Sequence, residues 1–427
     1  MTSGWRSVAE RLFASPEGLP DERKVGFWLF AAHLLTIWGL ALSNAFMGLT
    51  ALWVWVHRRQ LRASGPAWRD LAVLFVPAGL YGVFFVVSIL GAIEPAVSLG
   101  ELRDLLSFAT LGLAPILVRG EAEVRRVVRL FAGMVVLLAV HGIGQSLLTD
   151  YGSLHRRIVG LFSHYQTFAG VLLLGTLVWA AHLATRAWRQ PAAWLALGVT
   201  VWALLLTLTR GAWVAAAVIL VVLAVLLSRW RVVLAGAVAL TVVFAFFAPP
   251  SWVERVSSIQ DLRDVSNYDR LCMAEAAIYM VSERPLFGIG PEMVLERYPI
   301  YRHPTAPRAT VPHLHNAFLQ RAAEQGLVGL TAYLWIMVAA LVLAFRGFRD
   351  EGVGGARADL YLTVLLVLVG FNVAGLFEDN WRDTELRRLF LFFLAVPLCI
   401  SAGGRREDGE GPAEGAPNPA ESQGARP

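Results

Sequence analysis

His313, His315 and Asn316 fall in the stretch PHLHNAFLQRAAEQGLVGL, residues 312–330, which also carries Arg321 and the glycines Gly326 and Gly329. This interval is polar and lies between apolar runs. A short helix is expected to start after Pro312 and stop at Gly326, with His315 in its first turn. The positive end of a helix disfavours imidazolium, which keeps such a ring neutral and able to accept a proton. General-base chemistry is therefore open to His315. The competing reading is a histidine that caps or packs at a membrane interface, and His313 offers the same ring two positions away.

Arginines supply the second kind of chemistry. Arg210 interrupts the apolar stretch ALLLTLTRGAW, where it either snorkels to a membrane surface or grips a phosphate with its planar fork. Arg156, Arg157, Arg270 and Arg321 fall on the same side of the topology derived below. Several guanidinium groups beside a membrane could hold a diphosphate without a metal, and the alternative is attraction to anionic headgroups.

Asp261, Asp264 and the run Glu378, Asp379, Asp383 and Glu385 could chelate a divalent ion, but neither set has a specific metal-binding spacing. Hydrogen bonding or charge pairing is the expected role, with no metal and no cofactor. The Gly-rich phosphate loop with its Lys, the zinc motif His-Glu-x-x-His and the serine nucleophile elbow are all absent. Cys272 and Cys399 fall on opposite sides of the predicted membrane, so no internal disulfide is expected.

The elements that must position these residues are membrane helices. Of the 427 residues, 56% are hydrophobic and only 16% charged, too apolar for a soluble domain. The net charge of +5 is scattered in short clusters between apolar runs, without a basic groove motif, which excludes nucleic acid as a partner. Twelve spans are predicted, at about 25–41, 43–57, 70–91, 104–118, 127–148, 167–184, 192–209, 211–228, 231–248, 327–345, 359–377 and 386–402. The fold class is all-α and polytopic.

Short loops such as HRRQLR, RGEAEVRR, TRAWRQ and FRGFRDEG are all basic and alternate with less basic ones. The bias predicts both termini in the cytoplasm and the long loop 249–326 on the far side. Residues 1–24 read as an amphipathic surface helix preceding helices 1–9 (25–248), with no cleavable signal peptide evident. Helices 10–12 occupy 327–402, and the Gly-, Pro- and Glu-rich tail 403–427 is expected to be disordered. The long loop should hold a helix from Asp269 to Glu283, and the PLFGIGPEM turn after it uses its glycines for close backbone approach.

His315-Asn316, nine residues, then Gly326-Leu327-Val328-Gly329 resembles the pattern H-N-x9-G-x-x-G of the O-antigen ligase and polymerase superfamily, the ligases above all. Further similar pieces are RIVGLFSHYQTFAG (157–170), LTRGAW (208–213), DRLCMAEAAIYMVSERPLFGIGP (269–291) and GLFEDNWRD (375–383). The resemblance covers most of the chain from about residue 150, and the N-terminal third matches only in hydropathy.

The resemblance implies a glycosyltransferase of the bacterial inner membrane. It would move O-antigen from undecaprenyl diphosphate to the lipid A-core oligosaccharide without a metal, among membrane lipids. His315 would be the base, Arg210 and Arg270 the diphosphate ligands, and Asn316, Arg157, Arg321 and His313 supporting residues. Displacement with the base on the acceptor face predicts inversion at the anomeric carbon. An O-antigen polymerase or protein O-oligosaccharyltransferase of the same superfamily and a non-enzymatic lipid-linked glycan transporter are the alternatives.

Overall fold

The computed structural model describes residues 21–63, 66–149, 151, 153, 156–227, 250–257, 261 and 264–404, and among them every regular element is helical. The expected surface helix at 1–24 lies outside the described residues except for its last four positions, 21–24, which open the first described helix. The expected span at 231–248 and the tail beyond residue 404 also lie outside them.

In chain order the helices are α1 (Asp21–Leu35), α2 (Leu40–Val56), α3 (Arg58–Ala63), α4 (Trp68–Leu90), α5 (Pro95–Ser98), α6 (Phe108–Leu117), α7 (Gly120–Leu148) and α8 (Tyr165–His182). They continue as α9 (Pro191–Leu206), α10 (Arg210–Leu227), α11 (Pro250–Ser257), α12 (Val265–Glu283), α13 (Met293–Tyr301), α14 (Ala317–Glu351), α15 (Ala358–Gly375) and α16 (Thr384–Gly404). A 3-10 stretch, Leu99–Ser107, leads into α6, and a π turn, Leu183–Ala187, extends α8.

Among the described residues seven helices, α4, α7, α8, α10, α14, α15 and α16, are long and apolar enough to cross a membrane, and the chain is an all-α polytopic membrane protein. In hydrocarbon each backbone group must be satisfied within its own segment, which the helix alone achieves without a partner strand. The remaining expected spans are shorter. α2 and α9 are apolar but have 17 and 16 residues, and α1 has 15 and opens on the charges of Asp21, Glu22, Arg23 and Lys24. The span expected at 104–118 is instead the end of the 3-10 stretch and the ten residues of α6, because polar Glu101, Arg103 and Asp104 break its apolar run.

Burial separates centre from edge. The spanning windows of α16, α15 and α8 are 83%, 72% and 72% buried, whereas those of α4 and α10 are 33% and 28% buried. α15 packs on α8, α10, α14 and α16, so it is the pillar around which the others stand. Buried ion pairs fasten the helices: Arg387 of α16 holds Asp104 at 2.7 Å, and Arg125 of α7 reaches Asp359 of α15 at 3.0 Å.

The feature that shapes the site is a break in α14. Gly326 has φ 68° and ψ −175°, an extended left-handed conformation inside a helix. Around it the helical ladder is handed to the Pro285–Gly290 segment. Leu327 N–H donates to the Pro285 carbonyl at 2.8 Å, while Ile289 and Gly290 N–H donate to the Ala323 and Glu324 carbonyls at 2.9 and 3.0 Å. A Cβ on Gly326 would sit 2.2 Å from the Leu286 carbonyl oxygen, and one on Gly288 2.5 Å from that of Glu324. The expected stop at Gly326 and the close approach of the PLFGIG glycines are thus two sides of one contact, made to a helix.

Candidate active site

Asn316 is the N-cap of α14. Its side-chain oxygen accepts from Phe318 and Leu319 N–H at 3.0 Å each, and its amide nitrogen donates to the Leu376 carbonyl at 3.1 Å. His315 therefore precedes the cap and lies outside the first turn where the sequence suggested it. Its φ is 50°, an αL conformation uncommon for a residue other than Gly or Asn. The segment before it is held from outside: Arg382 donates to the Pro312 carbonyl at 2.6 Å, and Leu314 N–H donates to Gln320 Oε1 at 2.8 Å.

His315 Nδ1 lies 2.8 Å from Glu378 Oε2, and His313 Nε2 lies 3.4 Å from Glu378 Oε1. Gln166 Nε2 donates to Oε2 as well, and Asp379 N–H donates to Oε1 at 3.3 Å. Three hydrogen-bond donors and the nearby His313 ring thus meet a carboxylate with about four lone-pair sites. Burial pushes the Glu378 pKa up, but the hydrogen bond and charge of His315, with His313 and Arg270, outweigh it and hold the group below its ordinary value.

An ionised carboxylate only accepts, so His315 carries its proton on Nδ1 and a neutral ring keeps the lone pair on Nε2. His313 Nδ1 accepts from His315 N–H at 3.3 Å, which places the His313 proton on Nε2, toward Glu378. The two rings stand 4.2 Å apart. Burial lowers the His313 pKa, with Glu378 opposing.

These groups line a cavity of about 1040 Å³ between the ends of α8, α10, α12, α14 and α16. Arg157, Arg210, Arg270, Arg308 and Arg382 all reach it. Arg210 holds Asp264 at 3.4 Å and Ser266 at 3.1 Å, Arg308 pairs with buried Asp269, and Arg382 pairs with Glu292 at 2.5 Å. Arg157 stacks over the Tyr165 ring at 4.4 Å without a hydrogen bond or ion pair among the described residues. Arg270 has neither hydrogen bond nor ion pair among them. Its pKa is lowered by burial first and by neighbouring Arg210 and Arg308, against Glu378. Two guanidinium groups with unspent donors on one wall have the chemistry to hold an anion. Away from them the cavity is apolar, lined by Ala169, Leu173, Leu174 and Phe371.

The structure brings His313, His315, Arg157, Arg210 and Arg270 together on this wall, with Asn316 beneath them as the cap. Arg321 goes elsewhere. It is 5% exposed, donates to Asp379 at 2.8 Å and faces the packed interior, because the fifth residue of α14 falls on the side turned to Tyr81 and Trp381. Arg156 stacks at 4.9 Å over Tyr151 and does not line the cavity. Asp264 caps α12, so that helix begins at Val265, one turn earlier than the apolar pattern suggested.

Sequence reasoning missed Glu378 as the partner of His315, naming it only within an acidic run. It also missed His164, Gln166, Arg308 and Arg382 on the cavity wall. The available signal was the polar cluster HYQT at the start of an apolar helix, where charged and amide groups have no packing reason to gather.

No curated protein matches the chain. Residues 192–334 match the family model described as O-antigen ligase, a stretch that runs from α9 through the break in α14 and includes Arg210, Arg270, His313, His315 and Asn316. This match, on a membrane-helix bundle, supports membership of the O-antigen ligase superfamily.

Proposed function

We propose that the protein is an O-antigen ligase that transfers a glycan from undecaprenyl diphosphate to the lipid A-core acceptor at the periplasmic face of the bacterial inner membrane, inverting the anomeric carbon and using no metal. The observation that carries this reading is the His315–Glu378 pair on the same wall as the unpaired Arg270 guanidinium.

In this reaction His315 Nε2 takes the proton of the acceptor hydroxyl as its oxygen attacks the anomeric carbon. The bond to the diphosphate oxygen breaks on the opposite face, and its electron pair stays with the leaving diphosphate. Arg270, Arg210 and Arg157 surround that developing charge and do the work a metal ion would otherwise do. Glu378 stabilises the imidazolium, which then returns its proton to solvent. Asn316 fixes the cap that carries His315, and His313 supports Glu378. The apolar wall at Leu173, Leu174 and Phe371 suits a prenyl chain entering from lipid. The loop 249–326 faces the periplasm because the short basic loops lie on the other side.

The test is single-turnover transfer by purified protein in detergent with chelator, using polyprenyl-diphosphate glycan and lipid A-core. His315→Ala should bind donor normally and transfer at least about a hundredfold more slowly, the scale of a general base. Glu378→Gln keeps an acceptor for Nδ1–H without the charge and should fall between. A single ligated product identifies a ligase, and a ladder of lengthened donor identifies a polymerase. Near-normal transfer by His315→Ala, or loss only through unfolding, would remove the base from His315.

A further inference from the structure

We propose that His313, His315 and Glu378 form a binding site for Zn²⁺, and that the ion inhibits transfer by reversing the tautomer of His315. The inhibitory half rests on the general-base reading above, and the binding half stands on geometry alone.

One ligand atom from each of the three side chains lies within 4.8 Å of the others. His315 Nδ1 lies 2.8 Å from one Glu378 oxygen, Oε2, and His313 Nε2 lies 3.4 Å from the other, Oε1. A tetrahedral zinc with bonds of about 2.0–2.1 Å spaces its ligands by about 3.3 Å, a span compatible with three ligand atoms this close together. Two imidazoles and one carboxylate suit a borderline dication and leave a fourth position open to the cavity. Mg²⁺, which requires oxygen ligands, fits poorly.

The carboxylate is also braced for the exchange. The ion would replace the two imidazole contacts, one on each oxygen, while Gln166 and Asp379 N–H remain to orient Glu378.

The proton balance sets the consequence. The nitrogen that becomes a ligand must give up its proton, and in a neutral ring that proton moves to the other ring nitrogen through solvent. At His313 this costs the 3.3 Å hydrogen bond from His315 N–H. At His315 it puts the proton on Nε2. A protonated Nε2 has no lone pair for the acceptor hydroxyl, so transfer stops although the arginines and the donor they bind are untouched.

The experiment adds Co²⁺ as a spectroscopic probe to chelator-stripped, full-length protein in detergent. The expected result is a saturable tetrahedral Co²⁺ absorption, one ion per chain, displaced by Zn²⁺ but not by Mg²⁺ and lost in both His313→Ala and His313→Gln with melting temperature checked. Saturating Zn²⁺ should slow single-turnover transfer at least about tenfold with donor affinity unchanged, and EDTA should restore it. The His313 variants should lose this sensitivity relative to their own metal-free rates.

Absence of saturable binding by folded wild type, or binding that persists in both His313 variants, would overturn the site. Zinc bound there with no slowing would overturn the inhibition. Metal-free His315→Ala then tells which argument failed: if that variant transfers normally, the base assignment was wrong, and if it is inactive, the tautomer argument was wrong.

Discussion

Arg210 meets Asp264 and Ser266 through its guanidinium and lines the cavity, an arrangement that a point charge cannot copy. Arg210→Lys is expected to lower kcat/KM about tenfold or more, about 1.4 kcal/mol of transition-state stabilisation, with the fold intact. Unchanged turnover would mean the side chain serves only to reach the membrane surface. His313 and His164 carry a second prediction, because burial lowers both their pKa values. Between those lowered values and the ordinary value near 6.5 the unfolded chain binds more protons than the folded one, so stability rises with pH in that window. The melting temperature in detergent should therefore drop as pH falls below about 6.5, and His313→Ala should flatten the slope. A melting temperature that rises on acidification would contradict the sign. Glu378 acts lower on the scale: its depressed pKa adds stability above the ordinary carboxylate value, and this is lost as pH falls through the folded one.

Between residue and bundle stands α14, where sequence and structure can be compared directly. The nine residues between Asn316 and Gly326 are one short helical stretch, capped by the first and broken by the second, so the spacing of those two was legible as a length. Gly329 adds a steric reason, since a Cβ there would lie 2.4 Å from that of Gln325. What linear order could not reveal was direction. Arg321 and His315 are six positions apart, yet one faces the interior and the other the cavity. Glu378 finds its imidazole across 63 positions, a pairing that no local pattern encodes. Gly326→Ala should be strongly destabilising, by about 1–3 kcal/mol from the left-handed backbone alone and more from the clash with the Leu286 carbonyl. Gly133→Ala, in α7 with open space around it, should be neutral or slightly stabilising. Comparing melting temperatures of the two variants checks this, and equal effects would mean the break in α14 has no structural weight.

For the whole molecule the untested quantity is orientation. Cys272 is 3% exposed, so as a native thiol it would label slowly on either side. Ser282→Cys at the exposed end of α12 and Arg349→Cys at the opposite end of α14 are better placed. Membrane-impermeant maleimide on spheroplasts should modify the first and spare the second until the membrane is opened, and the reverse would invert the topology. The same helix links chemistry to bilayer. From Leu327 to Glu351 it has 25 residues, about 37 Å of rise, more than the roughly 30 Å of hydrocarbon it must cross. Anchored this way, the imidazole ahead of Asn316 keeps a set altitude above the lipid. If the proposed transfer to a lipid-anchored core holds, the protein acts as a height gauge: an acceptor sugar is usable when its own anchor lifts the hydroxyl to that level, and truncated or lengthened cores are refused by reach before any sugar is recognised.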